Sequence, residues 1–165
     1  MTQSKHTFTV KNIKTFTGRE GYGYSCNLYL NNKKVAVVTD NADGGPLDIF
    51  WNGPKIFDVT TRSLDFEISQ EYLTHKGTEA ESILEKMIME LPMISIQGSQ
   101  PFYSNSEIFI DDLVNDTLLQ QKISRILKKE IFILENKQIF SYKIKPTQDS
   151  VKINNYIAKN KPTAI

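Results

Sequence analysis

Between Tyr24 and Leu30 the chain alternates Tyr24, Cys26, Leu28 and Leu30 with Ser25, Asn27 and Tyr29. This period of two predicts a strand with one buried face. A second apolar run, Val35 to Val38, follows the tight polar link Asn31-Asn32-Lys33. Asparagine tolerates the positive φ of short hairpin turns, so the two runs are expected to pair antiparallel. Phe8, Val10 and Ile13 predict an earlier strand with an irregularity near Asn12, and Thr17 to Gly23 then reads as a turn. Leu47, Ile49 and Trp51 alternate with Asp48 and Phe50, a third strand able to return to the same sheet, and Asn52-Gly53-Pro54 closes it. Leu64, Phe66 and Ile68 form either one more strand or an extended lead into a helix.

The periodicity then changes. Thr78 followed by Glu81 is a capping box, and Ala80, Ile83, Leu84, Met87, Ile88 and Leu91 share one helical face until Pro92. A second helix is predicted from near Ser104, through Ile110, Leu113, Val114, Leu119, Ile123, Ile126 and Leu127, to Lys128 and Lys129, cations that suit a helix C-terminus. Ile131 to Leu134 and Ile139 to Ile144 flank Glu135-Asn136-Lys137-Gln138 as a hairpin, and Pro146 ends it. Strands first, helices in the middle and a hairpin last predict an α+β fold. Its sheet is largely antiparallel, two main helices pack on one face, and a β-hairpin lies at the C-terminus. Cys26, Leu28 and Leu30 are expected to face a core covered by the helix bearing Ile83, Leu84, Met87 and Ile88. Residues 1–165 are read as one globular domain with a short docked segment after Thr147 and a loose tail from about residue 158.

At 165 residues, 39% hydrophobic and 24% charged, the chain is long enough to bury a core. Twenty Lys and Arg against 19 Asp and Glu leave a net charge of +1, so no whole-chain field draws in nucleic acid or an anionic membrane, although a local basic patch is compatible with that balance. The single Cys26 excludes an intrachain disulfide and a cysteine-based zinc pattern, which favours a reducing compartment. Without a signal-like N-terminal run or about 18 consecutive apolar residues, the expected location is cytoplasmic, with no membrane partner.

The loop Thr39-Asp40-Asn41-Ala42-Asp43-Gly44-Gly45-Pro46 beside Trp51, the only tryptophan, concentrates unusual residues. Turn preferences alone account for it. The sharper reading is a binding loop of Asp40, Asn41, Asp43, Gly44 and Gly45 with Trp51, in which the amides of Gly44 and Gly45 meet an anion or a partner's backbone. A calcium loop does not fit, because aligning Gly44 with the required glycine puts Thr39 first and Phe50 last, where a bidentate Glu is needed. No metal or cofactor is expected. Gly18, Gly21 and Gly23 stand in the wrong order for a dinucleotide loop. Cys26 sits among apolar strand residues, as an inert packed thiol does. His75 reads as a solvated loop residue. Asp111 and Asp112 are adjacent on a helix and diverge, and Glu79 and Glu81 complement a helix dipole, so no acid/base pair emerges and no catalytic residue is assigned. Trp51 is read first as a core aromatic and, if exposed, as a stacking or hot-spot residue. Lys122, Arg125, Lys128, Lys129, Lys137, Lys143 and Lys145, interleaved with Phe140 and Tyr142, form the alternative surface for nucleic acid, with Lys137, Tyr142 and Lys143 as contacts.

The segments Val10 to Lys14, Asn27 to Ala36, Asp40 to Gly45 with Trp51, and Ile126 to Lys129 before a closing hairpin resemble small uncharacterised proteins of bacteriophages and mobile elements. In those relatives the loop runs Asn-Asp-Gly-x-Gly-Gly, whereas Ala42 and Asp43 intervene here. Together with the missing catalytic constellations, the resemblance points to a non-enzymatic interaction protein with a protein partner, acting on a host or counter-defence target. Two other functions stand beside it: a nucleic-acid-binding protein using the C-terminal hairpin, and an enzyme or sponge for a nucleotide-type small molecule.

Overall fold

The computed structural model describes residues 6–62, 72–95, 97, 101–135, 138–147, 149–159 and 163–164. The chain divides into two compact units, residues 1–115 and 116–165. In the first, β1 (Phe8–Thr17), β2 (Tyr22–Leu30), β3 (Lys33–Asp40) and β4 (Asp48–Trp51) form an antiparallel sheet in sequence order. Asn31 and Asn32 have φ of 48° and 68°, which makes the β2–β3 link a two-residue turn of the twist-matched kind. The irregularity expected near Asn12 is a bulge: the register shifts between Lys11 and Lys14, and Asn12 has φ 57°. A second shift after Leu28 turns both Val35 and Ala36 inward.

Two further strands, β5 (Phe57–Arg62) and β6 (Tyr72–Gly77), pair antiparallel and precede α1 (Glu79–Met89). Neither is predicted by alternation, because β6 is exposed along most of its length and shows no apolar face. The strand expected around Leu64 to Ile68 lies outside the described residues. The capping box forms as expected: Glu81 N–H donates to Thr78 Oγ1 at 3.3 Å and Thr78 N–H donates to Glu81 Oε2 at 3.2 Å. α2 (Ser106–Leu127) begins two residues later than the Ser104 start, since Asn105 is the cap, its Oδ1 accepting from Ile108 N–H at 2.8 Å.

Val10, Cys26, Leu28, Ala36 and Val38 are buried on one face of the four-stranded sheet. The helix over that face is not the expected one. Phe109 of α2 meets Phe8 edge-on at 6.4 Å, and Tyr24 bonds to Asp111 of α2, whereas α1 lies against β5, where Val59 is fully buried and Ser82 Oγ donates to the Asp58 carbonyl. The apolar face of α1 was legible, but the sheet it covers was not: one residue, Thr78, links it to β6, so it stays with β5 and β6. Leu84 and Val59, fully buried, each contribute roughly 2 kcal/mol of burial.

In the second unit β7 (Ile131–Glu135) and β8 (Gln138–Tyr142) form the expected C-terminal hairpin, and β9 (Thr163–Ala164) adds to β8. The segment after Thr147 is a helix, α3 (Ser150–Lys159), capped by Asp149, whose Oδ1 accepts from Lys152 N–H at 3.0 Å. Tyr156 donates to the Lys143 carbonyl at 3.0 Å, tying α3 to the end of the hairpin.

Candidate functional site

In a meander of four antiparallel strands the first and third connections lie at the same end of the sheet. Here they touch: Glu20 N–H donates to the Ala42 carbonyl at 2.8 Å. Gly18 and Gly23 allow this approach, since a β-carbon at Gly18 would lie 2.6 Å from the Ala42 methyl and one at Gly23 would run into the Asp40 carbonyl. Ala42 is buried with φ 53°, a backbone state costing an ordinary residue about 1–2 kcal/mol. Within the second loop, Ala42 N–H donates to Asp40 Oδ1 at 2.8 Å, Gly45 N–H to Asp43 Oδ1 at 3.0 Å, and Asn41 Nδ2 to Asp48 Oδ2 at 2.7 Å.

The joined loops and the first turns of α2 enclose an open cleft of about 280 Å³. It is lined by four acidic residues, Glu20, Asp40, Glu107 and Asp111, together with Gly44 and Gly45. Tyr22, 84% exposed, stands at the rim. The ion pairs seen among the described residues, His75 with Glu81 and Lys76 with Asp58, involve none of the four. Asp111 accepts from the Tyr24 hydroxyl at 2.5 Å. Burial raises its carboxyl above the ordinary aspartate range, the Tyr24 bond opposes that rise, and the charges of Asp40 and Asp112 add to it. Burial first, and then Asp111, hold the Tyr24 phenol well above the ordinary tyrosine range, so it stays protonated as a donor.

Asp40, Gly44 and Gly45 therefore line the cleft. Asn41 and Asp43 instead shape the loop from within. Trp51 pairs with Ala36, three residues along β4 from Asp48 and so about 10 Å from the loop end, half-buried on the same sheet face as Ile49. An anion does not suit this loop, because the Gly45 amide is already bonded to Asp43 and the surroundings are acidic. A cation suits it. Glu20, Tyr22 and Glu107 complete the cleft without having been singled out as site residues in the sequence, and Asp111, set aside there as half of an acid/base pair, joins them. The shared sheet end of Glu20 and Asp40 is inferable from strand order, whereas Glu107 and Asp111 arrive through the docking of α2, which leaves no local signal.

Cys26 is buried, and loss of water pushes its thiol up to about 11, as expected of a packed rather than reactive cysteine. His75 is not in a loop but on β6, exposed, with Nε2 2.9 Å from Glu81 Oε1. On the C-terminal hairpin, Lys137 lies outside the described residues, Lys143 is exposed, and Tyr142 is only 6% exposed, so its ring is not offered for stacking. Lys143 instead borders an apolar groove of about 460 Å³ walled by Ile123, Ile126, Leu127 and Phe132. Among the described residues no group of three or more His, Cys, Asp or Glu is placed to hold a metal ion, and no helix is long and apolar enough to cross a membrane. Comparison of the chain with protein-family models, curated proteins and solved structures finds no match.

Proposed function

We propose that the chain is a non-enzymatic cytoplasmic binding protein of a phage or mobile element, and that its cleft receives a cationic side chain, Lys or Arg, of a protein partner. One observation carries this reading: four acidic residues and an exposed tyrosine line one open cleft. Carboxylates fix a guanidinium or ammonium by charge-assisted bonds, and a tyrosine ring adds the face that cations favour. The same charge opposes the phosphates of a nucleotide, which disfavours the small-molecule enzyme or sponge at this place. Titration with an arginine-rich peptide tests the proposal. Saturable binding that weakens with salt is expected, with loss in Glu20→Gln/Glu107→Gln at unchanged melting temperature. Undiminished binding by that folded variant, or equal binding of a polyglutamate peptide, would sink it.

A further inference from the structure

The face of the four-stranded sheet opposite Cys26 and Leu28 carries a different chemistry. Cross-strand register places Lys11, Asn27, Val37 and Phe50 in one row across all four strands. Tyr29 and Lys34 oppose each other in the row beside it, and Lys14 opposes Ser25 on the other side. Phe16 opposes Gly23, where its ring lies so close that a β-carbon at Gly23 would meet Cε2 at 2.8 Å. None of these residues is buried except Gly23, and Phe50 is 66% and Phe16 39% exposed. Two aromatic rings are thus left in water on one sheet face, with three lysines to one side of the line between them. The acidic residue of this face, Asp48, sits at a corner and is bonded to Asn41.

We propose that this open face binds single-stranded RNA, independently of the acidic cleft. Exposed rings on an antiparallel sheet stack unpaired bases, and cations beside them hold the phosphates between. Strand spacing and rise put Phe16 and Phe50 about 20 Å apart on a diagonal across the sheet, a path for a single strand rather than for one base. Lys11 and Lys34 lie along one side of that path. The Lys11 ammonium lies 4.7 Å from the centre of the Tyr29 ring, so Tyr29 holds a cation above the face while Phe50 and Phe16 offer theirs to bases. Ser25, Asn27 and Thr39 set hydroxyl and amide groups between the rings, where a ribose 2′-hydroxyl, donor and acceptor at once, finds partners that deoxyribose does not use. Duplex hides its base faces and offers nothing to the rings.

Fluorescence anisotropy of the intact chain with a labelled mixed-sequence RNA oligonucleotide, the same sequence as DNA, and the RNA duplex tests this. Tightest binding to single-stranded RNA is expected. Phe50→Ala should weaken it about tenfold or more, as loss of one stacked base does, while Phe50→Tyr retains it. Replacing both Lys11 and Lys34 by Gln should flatten the slope of log affinity against log salt by about 1.4, about 0.7 for each phosphate that is no longer neutralised. Glu20→Gln/Glu107→Gln should bind RNA as the parent chain does, so failure here and failure of the cleft reading are told apart. Absence of RNA binding, equal affinity for DNA or duplex, or a loss caused by Lys143→Gln but not by Phe50→Ala would each overturn the proposal.

Discussion

Tyr24→Phe removes a single oxygen from the wall of the cleft, and its effect can be worked out in size and in pH dependence. The hydroxyl donates to Asp111 Oδ1 at 2.5 Å. Hydrogen bonds to a charged acceptor contribute about 1.5–3 kcal/mol, and partial access of water to Asp111 reduces this to about 1–2 kcal/mol. The donor also opposes the rise that burial and the charges of Asp40 and Asp112 impose on the Asp111 carboxyl. Without it that carboxyl moves further above the ordinary aspartate value. A carboxyl whose folded-state pKa lies above its unfolded value weakens the fold when ionised. That penalty is fully present above the folded-state value and is relieved as pH falls through it towards the unfolded one. The variant enlarges the penalty, so its destabilisation should be greatest near neutral pH and smaller in acid, once Asp111 is protonated. Urea unfolding followed from neutral pH down into acid measures the difference. NMR titration of the Asp111 carboxyl reads the shift directly. Destabilisation that does not lessen as the pH falls, or a carboxyl that titrates lower in the variant, would overturn this account.

Cys26→Ala should cost about 1–2 kcal/mol as a small core truncation and leave peptide binding intact, and the parent thiol should react with a thiol reagent only on unfolding. Gly44→Val meets both a φ of 77° and the Glu20 carboxylate, so denaturation should show a loss of about 1–2 kcal/mol or more. Gly45→Val, whose β-carbon would lie 3.1 Å from Asp43 Oδ1 without a left-handed backbone, should lose less. Thr78→Ala removes the acceptor for Glu81 N–H and should lower stability by about 1 kcal/mol, read as faster amide exchange in the first turn of α1.

The α+β class, the first four strands and the capped start of α1 were legible because each is written locally. Period-two alternation over Tyr24 to Leu30 admits one register, Asn31-Asn32 admits one kind of turn, and Thr78 and Glu81 satisfy each other within a single helical turn. β5 and β6 escaped because Tyr72, Leu73 and His75 face water and lack the alternation that a buried face imposes. α3 was predictable, since Ile153, Tyr156 and Ile157 stand at the i, i+3, i+4 spacing of one helix face and Asp149 supplies the cap. The loop Asp40 to Gly45 stood out by composition, but its setting could not be read from it. Besides Asp40, the acidity around it comes from Glu20, Glu107 and Asp111, which are distant in the chain and reach it through strand order and helix docking. Trp51 seemed close to the loop only because chain distance is short there, and an extended strand carries it away.

The two outer strands of the four-stranded sheet also govern whether copies of the chain can zip together. A sheet border is a row of unpaired backbone donors and acceptors, and a long flat one templates strand addition and fibre growth. Along β1 that row is broken by the shift between Lys11 and Lys14, which bends the border just where a neighbouring strand would have to follow it. Along β4 it lasts four residues before Gly53, at φ 119°, and Pro54 end it. The sheet can therefore leave Phe16 and Phe50 in water without offering a border long enough to polymerise. Straightening β1 at Asn12 would trade a twisted border for a sticky one.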